Sequence, residues 1–70
     1  MERYQSYLFR IRGKGIDEDP NKHCKDDAEA MELAEKVVRR YPVGTAIKVY
    51  HIVDVEGRET KSYVGMVEHK

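Results

Sequence analysis

Seventy residues are enough for one small domain, since a chain of this length buries only about 60% of the surface that its unfolded form exposes. Thirteen basic and thirteen acidic side chains cancel, so no net field draws the molecule toward nucleic acid or anionic lipid, and any such binding has to be local. Apolar residues make up 40% of the chain and fall in periodic blocks, which separates it from disordered sequences despite 37% charged residues.

The single cysteine, Cys24, has no partner for an intramolecular disulfide, and no apolar run approaches the roughly 20 residues of a membrane helix. The opening MERYQSYLFRIRG carries charges and no small-residue cleavage motif, so it does not read as a signal peptide. The expectation is a cytoplasmic protein without disulfide, cofactor, metal or membrane partner. Charge is uneven along the chain. Met1 to Ile16 holds four basic residues against one acid, whereas Asp17 to Ala30 holds six acids against two lysines.

Residues 1–12 read as a strand, because Gln5, Tyr7, Phe9 and Ile11 alternate with Ser6, Leu8, Arg10 and Arg12. The run 13–25, GKGIDEDPNKHCK, has two glycines, a proline and no period, and is expected to be a polar loop. Asp26 with Glu29 three residues on forms an acidic variant of a capping box and starts a helix over 26–41. Ala30, Leu33, Ala34, Val37, Val38 and Tyr41 recur along it at helical spacing, Glu32–Lys36 and Glu35–Arg39 are favourable i,i+4 pairs, and Pro42 with Gly44 ends it.

Residues 45–68 read as a β-hairpin turning at Glu56-Gly57. Pairing Val55 with Arg58 sets Val49 against Val64 and Ile47 against Met66 on one face. On the other face it sets Tyr50 against Tyr63, Ile52 against Lys61 and Lys48 against Gly65. The fold class expected is α+β, a two-layer β-α-β-β domain with one helix on a three-stranded sheet. Its inward residues would be Tyr7, Phe9, Ile11, Ile47, Val49, Val53, Val64 and Met66. The pattern leaves open whether the first strand lies parallel to the second or antiparallel to the third.

Motifs for chemistry are fragmentary. Asp17, Asp19 and Asn21 match the first ligand spacing of a calcium loop, but Lys22 stands where its glycine belongs and Ala28 where its glutamate belongs. Gly13-Lys14-Gly15 starts like a phosphate-binding fingerprint, yet Glu18 replaces the third glycine and no helix follows at once. His23 and Cys24 are adjacent, whereas zinc sites use about four ligands and only His51 and His69 remain. Cys24 reads as an ordinary loop thiol, since Asp26 and Asp27 oppose its activation by neighbouring lysines. No carboxylate lies within an apolar block, so no acid–base pair suggests itself and the chain is not expected to be an enzyme.

One feature exceeds what a solvated surface requires. The sheet face opposite the helix would carry Leu8, Arg10, Lys48, Tyr50, Ile52, Lys61 and Tyr63, and one helix cannot cover both faces. The expected function is a non-enzymatic interaction module that binds a protein partner or forms a homodimer through that face. Two alternatives stand beside it: a partly solvated face closed by the long loop, and weak binding of single-stranded nucleic acid by the same tyrosines and basic residues, although no RNA-recognition signature accompanies them.

Overall fold

The alternation in RYQSYLFRIRG forms strand β1 (Arg3–Gly13) in the computed structural model, which describes residues 3–70. Met1 and Glu2, assigned to the first strand by sequence, lie outside the described residues. Beyond β1 the chain reverses at Lys14-Gly15, where Gly15 takes φ +72°. It then runs back along β1 as two short strands, β2 (Ile16–Glu18) and β3 (Asn21–Lys22). Arg12 pairs with Asp17 and Tyr7 with Lys22, and between the two strands the Phe9 N–H donates to the Pro20 carbonyl. The expected polar loop is therefore largely paired backbone.

Helix α1 (Asp27–Val38) begins where the acidic box predicts: Asp26 is the N-cap, its Oδ1 accepting from the Glu29 N–H at 2.8 Å. Regular helix stops at Val38, and Arg40 and Tyr41 donate to the Val37 and Val38 carbonyls in a closing turn. Strands β4 (Ala46–Val55) and β5 (Arg58–Glu68) form the hairpin, with Glu56 at φ +53° and Gly57 at φ +82°. Positive φ at both central residues matches a type I′ turn, whose twist suits paired strands.

The fold is α+β, but the sheet has five antiparallel strands rather than the three expected, in the order β2-β1-β4-β5 with β3 also on β1. Strand β1 pairs antiparallel with β4 from Arg3↔Val55 to Arg12↔Ala46, an arrangement the sequence pattern did not include. The cause is the β2–β3 return. It carries the chain back toward the start of β1 before the helix begins, so α1 travels in the direction of β1 and β4 must come back against it. Two contacts mark that path: the Tyr7 hydroxyl donates to Asp27 Oδ1 at 2.6 Å, and the Tyr41 hydroxyl donates to Glu18 Oε1 at 2.9 Å.

A second correction concerns the hairpin register. Val55↔Arg58 through Tyr50↔Tyr63 pair as the sequence predicts, but a bulge then leaves Val64 unpaired and sets Val49 opposite Gly65, Lys48 opposite Met66 and Ile47 opposite Val67. Met66 thereby moves to the outer face, 43% exposed, and Val67 packs inward. Gly65 lies under the helix; a Cβ there would stand 2.9 Å from Met31 Cε, which explains why the inward place beside Val49 has no side chain.

The core lies between the sheet and α1 and consists of Tyr7, Phe9, Ile11, Ile47 and Val49 from the strands, Ala30, Ala34 and Val38 from the helix, and Cys24. Small residues at i, i+4 and i+8 let the helix axis approach the sheet closely, while Met31, Leu33 and Val37 pack along its flanks. Cys24 is 8% exposed, so it is a core thiol and not the loop bystander expected from sequence. Val53 is only half-buried. Twelve helical residues span about 18 Å, whereas the molecule extends 43 × 22 × 15 Å, so the hairpin end reaches past the helix.

Candidate interaction face

Strand alternation puts every second side chain of β1 and β4 away from the helix. Cross-strand pairing then arranges them in rows: Arg12 with Ala46 and Glu68, Arg10 with Lys48 and Met66, Leu8 with Tyr50 and Tyr63, Ser6 with Ile52 and Lys61, and Asp54 with Glu59. All seven side chains singled out in the sequence, Leu8, Arg10, Lys48, Tyr50, Ile52, Lys61 and Tyr63, lie on this outer face. Sequence reasoning missed Met66, because its placement depends on the bulge; the glycine inside the strand was the available signal.

At the centre the Tyr50 and Tyr63 rings meet edge to face, with centroids 5.7 Å apart and planes at 67°. Two cations flank Tyr50: Arg10 Cζ lies 5.5 Å and Lys61 Nζ 5.6 Å from its ring centroid. Tyr50, Leu8 and Ile52 are half-buried, whereas Tyr63 is 60% exposed. The aromatic pair is thus held from below by its own strands and open above.

The charges on the face are not equivalent. Asp19 Oδ1 lies 3.7 Å from Arg10 Nε and 3.2 Å from Arg12 Nη2, and Asp17 bridges Arg12 at 3.0 Å, so the acids of the β1–β2 hairpin neutralise both arginines. Lys48 and Lys61 have no ion-pair partner among the described residues. Asp54 and Glu59 stand directly opposite each other near the turn, a like-charge pair that costs stability in an isolated sheet. Lys61, their neighbour on this face, leans over Tyr50 instead of bridging them.

Elsewhere the chemistry is sparse. An open depression of about 310 Å³ is lined by His23, Cys24, Glu29, Glu32, Leu33 and Lys36. Burial raises the Cys24 thiol pKa above 9.0, and Glu29 and Asp26 add to the shift, the reverse of what a thiolate nucleophile needs. A second depression of about 390 Å³ lies between the C-terminal segment and the end of α1. Among the described residues, His, Cys, Asp and Glu form no cluster of three or more that would hold a metal ion, and no helix is long and apolar enough to cross a membrane. Compared with known proteins, the chain matches no family model, no curated protein and no solved structure.

Proposed function

We propose that this protein is a non-enzymatic interaction module whose outer sheet face is the docking surface for a protein. The observation that carries this reading is the open Tyr50–Tyr63 pair, set among Leu8, Ile52 and Met66 on a face that α1 cannot reach. Tyrosines supply large contact area at a low cost in side-chain entropy, and an apolar centre with a charged surround is the usual anatomy of a protein interface.

Single-stranded nucleic acid is the second reading, favoured by the cations against the Tyr50 ring. It is weakened by the acids on the same face: Asp17 and Asp19 occupy the arginines, and Asp54 with Glu59 would repel a phosphate backbone.

Sedimentation of wild type and of the double variant Tyr50→Ser/Tyr63→Ser, over a concentration series and at two salt concentrations, separates these readings. A docking surface for protein predicts association, with itself or with an added partner, that falls only modestly with salt and disappears in the folded double variant. Binding of a single-stranded oligonucleotide that falls steeply with salt would favour the second reading, and an unfolded double variant would show that the tyrosines serve the fold.

A further inference from the structure

The distribution of charge along the outer face identifies the partner's chemistry. Following the strands inward from the mixed-charge Arg12–Ala46–Glu68 row, the Lys48 row comes first, then the Leu8–Tyr50–Tyr63 row, then the Ile52–Lys61 row, and then Asp54 and Glu59. The apolar and aromatic rows thus lie between a cation, Lys48, and two carboxylates, none of them in an ion pair among the described residues. Such a surface complements its own copy reversed.

We propose that the outer face pairs with the same face of a second copy of this chain, strands antiparallel, about a two-fold axis lying across the strands between the Tyr50 and Ile52 rows. This rests on the docking role proposed above and adds the occupant and its orientation. Reversal about that axis superposes the Lys48 row of each copy on the Asp54–Glu59 row of the other, and the Tyr50 row on the Ile52 row. Each Lys48 then meets two carboxylates that have no cation within salt-bridge distance among the described residues of their own chain. Each Lys61 faces the exposed ring of Tyr63 in the other copy, and Ile52 faces Tyr50.

The opposite choice, with strands parallel, would lay Asp54 and Glu59 of one copy on those of the other, and Lys48 on Lys48. Charge thus selects one of two otherwise similar sheet stackings. Sheets packed face to face sit about 10 Å apart with strands within about 30° of alignment, which tolerates the natural twist of both. Three strands spaced about 4.8 Å apart, over rows rising about 3.4 Å per residue, give a patch of roughly 15 by 20 Å. That is below the roughly 800 Å² per partner of a standard interface, so the dimer is a weak, transient one.

A charge-reversal cycle tests this arrangement. Lys48 and Glu59 are both exposed and take part in no hydrogen bond or ion pair among the described residues. Within one chain they lie about 20 Å apart along the strands, beyond the ~8 Å screening length at physiological salt. Lys48→Glu and Glu59→Lys should each weaken self-association about tenfold in sedimentation equilibrium, and the double variant should recover to within about threefold of wild type. Circular dichroism of each variant should match wild type.

If the single variants have no effect, or the double variant is weaker than either, while Tyr50→Ser/Tyr63→Ser still abolishes the dimer, the antiparallel pairing is wrong and the docking face stands. A wild type that stays monomeric at millimolar concentration overturns the second copy as occupant. If that monomer also engages no protein, or binds single-stranded oligonucleotide instead, the docking role for protein falls with it.

Discussion

Strands β1 and β4 present two faces built from neighbouring residues, and only one of them is closed. Inward, Phe9, Ile11, Ile47 and Val49 are fully buried under α1. Outward, one residue along, Leu8, Tyr50 and Ile52 are half-buried, and on β5 Tyr63 and Met66 are largely open. Both faces are rich in apolar and aromatic side chains, so composition does not tell core from contact surface. The difference lies in what covers each face: the inner one is closed by small alanines that bring a helix close, and the outer one by nothing among the described residues.

Substitutions that treat the two faces differently put this contrast at risk, and the largest effect belongs to the core. Phe9→Ala removes a fully buried ring and should cost about 3–5 kcal/mol, a large share of so small a domain's stability, read as a lowered urea midpoint. Val49→Ala at the same face should cost about 1–3 kcal/mol, and Val37→Ala less, since Val37 lies at the flank of the helix.

The edge of the covered region carries a pH dependence. The Tyr7 hydroxyl is raised well above its ordinary 10.0 by burial and then by its bond to Asp27. The neutral phenol is therefore favoured by folding, so its contribution is complete below the unfolded tyrosine value and is lost as pH rises above it toward the folded one. Thermal melts at rising alkaline pH should show this loss, and Tyr7→Phe should reduce the slope.

Smaller effects follow at the two chain reversals that frame the faces. Asp26→Ala deletes the N-cap bond to the Glu29 N–H and should cost about 1 kcal/mol, seen as a lowered melting temperature. Glu56→Asn should instead stabilise by about 0.5 kcal/mol, because asparagine tolerates the left-handed backbone that Glu56 adopts. Least of all, Tyr63→Ser should lower the unfolding free energy obtained from urea titration by no more than about 0.5 kcal/mol.

How much of this was legible in the sequence differs by element. The helix start, the turn at Glu56-Gly57 and both faces of β1 follow from spacing alone, because period and capping chemistry are local properties. The pairings from Val55 to Tyr50 follow as well, since a tight turn fixes register near itself. Two features were not legible. Strands β2 and β3 are too short to show a period, so although the glycines of Gly13-Lys14-Gly15 suit a turn of the strand, nothing in the sequence shows that the chain pairs back along β1. The bulge at Val64 depends on Met31 occupying the space beside Gly65, a contact between residues far apart in the chain. Of the outer face, the seven side chains were placed by alternation, but the neutralisation of Arg10 and Arg12 by Asp17 and Asp19 requires β2 and was invisible for the same reason.

The central claim is that the outer face is a contact surface and the inner one is not, and tyrosine modification by a nitrating reagent reads both at once. Tyr63 should react readily in dilute protein and become protected as concentration rises through the dimer range, while Tyr41, away from that face, reacts at a constant rate and Tyr7, 1% exposed, stays unmodified throughout. Modification of Tyr63 that is unchanged from dilute to millimolar protein, and unchanged when a candidate protein partner is added, would contradict the account.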